Sequence, residues 1–186
     1  PYYPQYLEQL GYQKEAEWME LKMDVPETIP EKYTKVGRIV MQREKVHIKK
    51  LNGRDDIFNK GYGQKIFTLI NDAYSPLFGY SRMTERQISN YIKTYLPLLD
   101  LRMVTLVETD DTNELVCVGI SMPSIVRALQ KSKGKLFPFG WFHLLKSLKF
   151  KHEEGVELLL IAAHPDWQGK GLNALLFTDL IPVYQK

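Results

Sequence analysis

The chain has 186 residues, of which 44% are hydrophobic and 25% charged, with a formal net charge of +3 at pH 7. That balance supports a buried core and excludes the disordered, fibrous and membrane-spanning classes, since no apolar run approaches the ~18 residues of a span. A pI near 8.8 suits an anionic ligand but falls short of a dedicated nucleic-acid binder, so no nucleic-acid partner is expected. The single cysteine, Cys117, rules out an internal disulfide and sits in an apolar run, as a small buried hydrophobe does. With no basic-then-apolar leader, a cytoplasmic location is the expectation.

In chain order, Tyr6 to Leu10 reads as a short helical turn stopped by Gly11. Glu15 to Val25 alternates in a strand-like manner. Pro26 and Pro30 punctuate a linker, and Tyr33, Val36, Ile39 and Val40 recur at helical spacing. The expected division is a tail fragment over 1–30, a linker helix over 31–45 and a domain from Val46 onward.

From Val46 to Leu51 a strand is expected, then a helix carrying Ile66, Leu69, Ile70, Ala73 and Tyr74 on one face. Thr84-Glu85-Arg86-Gln87 has the form of a capping box that opens a second helix, bearing Ile88, Tyr91, Ile92 and Tyr95. Leu101 to Glu108 and Glu114 to Ser121 flank the polar loop Thr109 to Asn113 and are expected to pair antiparallel. Two short helices with a basic loop follow, between Ser124 and Lys149. Gly61-Tyr62-Gly63 lacks the third glycine of a dinucleotide fingerprint and reads as a helix start. The four histidines have no metal-ligand spacing, so no metal site is expected.

The most informative stretch runs from Val156 to Leu176. Its Leu/Ile-rich first half reads as a strand buried on both faces, ended at Pro165. A helix follows whose first turn is expected to carry Gly169 and Gly171, leaving backbone N–H groups open to an anion. That is the physical recipe for a phosphate cradle.

These residues resemble the acyl-coenzyme A site of the GNAT acyltransferase superfamily. Its signature is Gln or Arg, two variable residues, Gly, one variable residue, then Gly or Ala, and the stretch here is Gln168-Gly169-Lys170-Gly171-Leu172-Asn173. The departure is Asn173 at the last small position. The element order over roughly 46–184 is similar as well. The resemblance implies an α/β (α+β) fold with a mixed central sheet and helices on both faces, continuing past Lys186 with elements that complete the cofactor slot and bear the thiolate-protonating tyrosine. It implies N-acetyl transfer from acetyl-CoA to an amine acceptor by direct attack. Ile161, Ala162 and Ala163 would pair with the pantetheine amides, and Gln168, Gly169, Lys170, Gly171, Leu172 and Asn173 would hold the pyrophosphate. A carboxylate placed at Gly171 would then face the phosphates. Glu157, eleven residues before Gln168, would be the general base.

Three readings of the whole stand at this point: an N-acyltransferase, a non-catalytic coenzyme A-binding or dimerising module that forms a homodimer, and an anionic-surface binder acting through 131–151. In that last segment lysines alternate with Phe137, Phe139, Trp141, Phe142, Leu144, Leu145, Leu148 and Phe150. The expected arrangement is an amphipathic hairpin with its apolar face on the sheet and its lysines in water. The competing arrangement is a basic aromatic arm that meets acceptor, membrane or nucleic acid.

Overall fold

The computed structural model describes residues 2–149 and 155–185. Phe150, Lys151 and His152, which the sequence reading touches, lie outside the described residues. Four strands, β1 (Val46–Lys49), β2 (Val104–Thr109), β3 (Leu115–Pro123) and β4 (Val156–Ala163), form a sheet in the order β1-β2-β3-β4, every pairing antiparallel. The expected mixed sheet is thus corrected among the described residues. Each successive strand returns beside its predecessor, and a parallel neighbour for β4 would require a crossover beyond the helix that follows it.

Eight helices accompany these strands among the described residues: α1 (Tyr3–Gln9), α2 (Glu31–Glu44), α3 (Arg54–Phe58), α4 (Tyr62–Tyr74), α5 (Glu85–Thr94), α6 (Val126–Lys131), α7 (Gly140–Lys149) and α8 (Asn173–Tyr184). Helices lie on both faces of the sheet, as expected. On one face Ile66, Leu69 and Ile70 of α4 and Ile88 of α5 pack on Val104, Leu106, Val118 and Ile120. On the other, Leu175, Leu176 and Leu180 of α8 and Val40 of α2 pack on Val107 and Val116. The pleat sends alternate side chains of one strand to opposite cores, which is why β3 is buried almost throughout.

Local chemistry accounts for several of these elements. The capping box forms as expected, with the Thr84 N–H donating to Gln87 Oε1 at 2.8 Å and the Gln87 N–H to Thr84 Oγ1 at 3.4 Å. Gly63 is a packing glycine, because a Cβ there would lie 2.9 Å from Ile92 Cγ2 on α5. The hairpin between β2 and β3 turns at Asn113, whose φ of +53° suits an asparagine.

Further features differ from the sequence-based expectation. The stretch 13–26 pairs with no strand among the described residues, and Trp18, Met19, Leu21 and Met23 are all exposed. A lone alternating segment has no partner to satisfy its backbone, so the pattern by itself makes no strand. Helix α2 is packed on the molecule, with Gly37 and Val40 buried against α8 and the sheet. Its apolar stripe finds a surface to cover. β4 is an edge strand rather than one buried on both faces, with Leu158 and Leu159 each 42% exposed. Finally, α8 starts at Asn173, so Gly169 and Gly171 lie in the loop ahead of the helix rather than in its first turn.

Leu176 is fully buried between α8 and β3. Leu176→Ala is expected to lower the unfolding free energy by about 3 kcal/mol, read from urea denaturation.

Candidate functional site: an open strand edge and a glycine turn

Among the described residues β4 has a neighbour on one side only. Its His164 N–H donates to Val116 O on β3 at 2.9 Å, and residues of an antiparallel strand alternate in the direction of their backbone groups. Ala162, paired with Val118 and 2% exposed, therefore faces into the sheet. Ile161 and Ala163 turn their N–H and C=O groups outward.

Both outward carbonyls are already taken by side chains. The Tyr74 hydroxyl at the end of α4 donates to Ile161 O at 2.9 Å, and Gln168 Nε2 donates to Ala163 O at 3.2 Å. What the edge still offers among the described residues is its N–H groups. Tyr74 is held in place by a T-shaped contact with Tyr80, whose hydroxyl donates to Asn71 Oδ1 at 2.7 Å. Burial pushes the Tyr74 phenol above its ordinary pKa, so it stays a donor across the physiological range. Sequence reading placed Tyr74 only on an apolar helix face. Its position at the polar tip of that face was the available signal.

Earlier in β4 the register slips between Ile120 and Ser121 of β3: Leu160 faces Ile120 and Leu158 faces Ser121. Leu159 is the additional residue of a bulge, which interrupts the ladder and bends the strand. Glu157 lies beyond the bulge, exposed and opposite Met122. It is on the same strand as the outward N–H groups, four residues from Ile161.

The turn after β4 begins with a single 3-10 turn, Pro165–Trp167. His164 serves this turn, its Nδ1 accepting the Asp166 N–H at 3.3 Å. Gly169 and Gly171 follow with φ of +75° and +85°, a region that only glycine enters without strain. The α8 N-terminus has no side-chain cap, and Asn173 is exposed. The Ala174 and Leu175 N–H groups bond back to Gly171 O and Leu172 O, both at 3.0 Å. The N–H groups of residues 169–173 make no hydrogen bond among the described residues. These backbone donors lie at and just ahead of the positive end of a 12-residue helix, a setting in which an anion is favoured.

The two glycines differ in what surrounds them. A Cβ on Gly169 would meet nothing within 4 Å, whereas one on Gly171 would lie 3.2 Å from Val40 Cγ2 of α2. The expectation that a carboxylate at 171 would face an anion is therefore corrected. The 171 side chain would point into α2, and 169 is the glycine that faces open space.

Charged neighbours fix the turn to α2. Arg43 Nη2 donates to Lys170 O at 3.1 Å, and Lys170 Nζ lies 3.7 Å from Glu44 Oε2 and 4.2 Å from the centre of the Trp167 ring. Leu172 is buried as an anchor in the core beneath α8.

Other features carry no chemistry at this site. Burial pushes the Cys117 thiol up to about 12, so it is no nucleophile. A cavity of about 370 Å³ lined by Ile57, Leu96, Leu99, Leu101 and Leu148, among others, contains none of the expected site residues.

No family model matches the chain. Its relatives include the protein named bacterial ceramide synthase from Caulobacter vibrioides (strain NA1000 / CB15N), 29% identical over 165 residues, which are 87% of this chain and 41% of that protein. They also include Protein YghO of Escherichia coli (strain K12), 27% identical over 184 residues, 97% of this chain and 45% of that protein. The chain thus spans less than half the length of these relatives.

Two outcomes test the geometry. Gly171→Ala is expected to cost about 2 kcal/mol of stability and Gly169→Ala only about 1 kcal/mol, by denaturation, since Val40 obstructs the first alone. Because the folded Cys117 thiol titrates near 12 against an ordinary value of 9.0, its contribution is complete below pH 9 and is lost as pH rises toward 12. A Cys117→Ala variant should lose less stability over that alkaline interval than the parent, and equal losses would contradict the buried thiol.

Proposed function

We propose that the chain carries the acyl-coenzyme A site of an N-acyltransferase of the GNAT type. The observation that carries the reading is that two sets of unpaired backbone donors, the outward N–H groups of β4 and those of residues 169–173, lie on either side of one 3-10 turn. An extended amide-bearing arm ending in a pyrophosphate is complementary to such a pair of sets. Ile161 and Ala163 would take the arm as an added strand, and Gly169, Lys170, Gly171, Leu172 and Asn173 the phosphates. Ala162 would serve from the inner side by keeping β4 in register on β3. Gln168 would act by holding the Ala163 carbonyl rather than by touching the ligand.

The name of the Caulobacter relative gives the reading a substrate direction. Ceramide is an amide, so its synthesis joins an acyl group to an amine, which is the reaction class proposed here. It favours a longer acyl chain than the acetyl group of the sequence-based expectation.

When bound, an acyl thioester supplies an acyl group activated toward an amine. The protein's part is to align the two, stabilise charge on the carbonyl oxygen and receive the amine's proton. Glu157 is the carboxylate on this strand able to receive it. Tyr74 holds the Ile161 carbonyl from the α4 side.

Calorimetric titration of the full chain with coenzyme A, acetyl-CoA and a long-chain acyl-CoA tests the reading. Binding is expected, strongest for the long chain, and Gly169→Glu should weaken it at least about 100-fold by setting a carboxylate against the phosphates. Absence of binding, or unchanged affinity in that variant, would remove the assigned cradle. For Glu157→Gln, affinity should persist while the rate of amide formation falls by about 100-fold or more and its acidic pH limb disappears. A protein that binds coenzyme A but turns over no amine would instead be the non-catalytic module.

A further inference from the structure

The hairpin between β3 and β4 leaves most of its large apolar residues exposed. Helix α7 turns Gly140 and Ser147 inward, with His143, Leu144 and Leu148 half-buried beside them, and the Ser147 hydroxyl donates to Ser124 O at 3.3 Å. This inner stripe satisfies the helix's spacing for a packed face. Its opposite side carries Trp141, Phe142 and Leu145, at 48%, 53% and 40% exposure, and the preceding loop adds Leu136, Phe137 and Phe139 at 52%, 80% and 73%. The core-facing hairpin expected from the sequence is corrected: the aromatics look outward.

A helix solvated on its outer side places charge there, not three large apolar residues beside further phenylalanines. The charges accompany them instead. Lys131, Lys133, Lys135 and Lys146 are exposed, and the sequence from Val126 to Lys149 contains no Asp or Glu. Wedge-forming aromatics ringed by lysines, with a tryptophan among them, match the interface of an anionic bilayer, where rings enter the headgroup layer and ammonium groups meet lipid phosphates. No helix of the described residues is long and apolar enough to cross a membrane, so such an element would lie on the surface.

We propose that the hairpin over 126–149 docks the protein on anionic lipid bilayers. Its base is closed by the Ser124 N–H on Gly155 O at 2.9 Å, directly before β4 begins at Val156. Docking therefore sets the Glu157 end of β4 toward the lipid and the glycine turn at the far end of the strand. It follows, resting on the acyl-transfer reading, that the amine acceptor is an amphiphile presented by the membrane rather than a dissolved metabolite.

Co-sedimentation of the full chain with vesicles of phosphatidylcholine alone and of phosphatidylcholine with phosphatidylglycerol tests the docking. Pelleting is expected with the anionic vesicles and should weaken with added salt. The triple variant Phe137→Ser, Phe139→Ser, Phe142→Ser, and separately Lys131→Glu, Lys133→Glu, Lys135→Glu, should each lower the partition coefficient at least about tenfold. The altered side chains are exposed, and unchanged far-ultraviolet circular dichroism verifies the fold. No pelleting, pelleting indifferent to both variants, or binding to duplex DNA in place of vesicles would overturn the inference. Coenzyme A titration of the same variants separates the two proposals: intact coenzyme A binding with failed docking sinks only the membrane surface, and absent coenzyme A binding in the parent sinks only the transferase reading.

Discussion

The seat of α8 on β3 governs the remainder of the molecule. Gly119 lies in the middle of β3, and a Cβ there would stand 3.3 Å from Leu176 Cδ1 and 3.4 Å from Leu180 Cδ1. The missing side chain lets two leucines of α8 descend onto the sheet. With the helix thus placed, its N-terminus cannot drift from the end of β4, and the turn over 168–172 spans a fixed gap. Polar contacts complete the seat: Lys50 Nζ meets Asp179 at 2.5 Å, Asp179 also accepts from the Thr105 hydroxyl, and the Tyr184 and Ser121 hydroxyls bond to each other. These couple β2, β3 and the residue that follows β1 to the far half of the same helix. The proposed anion site, made of backbone groups, depends on such rigidity, since it has no side chains that could adjust.

The sequence exposed the local elements better than their surroundings. Thr84-Glu85-Arg86-Gln87 announces a helix start because two side chains and two N–H groups settle the matter within four residues. The β2–β3 hairpin and the strand-turn-helix at 156–184 were legible for the same reason. Burial was not legible for β4, because Leu158-Leu159-Leu160 has the composition of a central strand and only the strand order makes it an edge. The role of Gln168 was hidden likewise. A glutamine in a glycine motif reads as a ligand contact, yet its amide closes on Ala163 O. Tyr74 escaped notice because a hydroxyl leaving an apolar helix face finds its acceptor only after the helix has met the strand.

The two glycines of the turn separate two demands that share one residue type. Both need a positive φ, but Gly171 also makes room for α2, and Gly169 leaves its space open. A motif of two glycines thus combines one for packing and one for approach. The hairpin over 126–149 illustrates the converse, in which one composition serves two opposite orientations. Alternating lysine and aromatic residues fit a core-facing helix as well as an outward one, and the inward stripe of glycine, histidine, leucine and serine decides between them.

Helix α8 is tied at its C-terminal end to the chain ahead of α2, and the turn at its N-terminal end is tied to α2 itself. Gln185 Nε2 donates to Pro26 O at 2.6 Å and to Glu27 O at 3.0 Å, and Arg43 holds the Lys170 carbonyl from the last turn of α2. The polypeptide before residue 31 is therefore mechanically in series with the glycine turn. Tension on that N-terminal stretch would reach the glycine turn through α2 at one end and through α8 at the other.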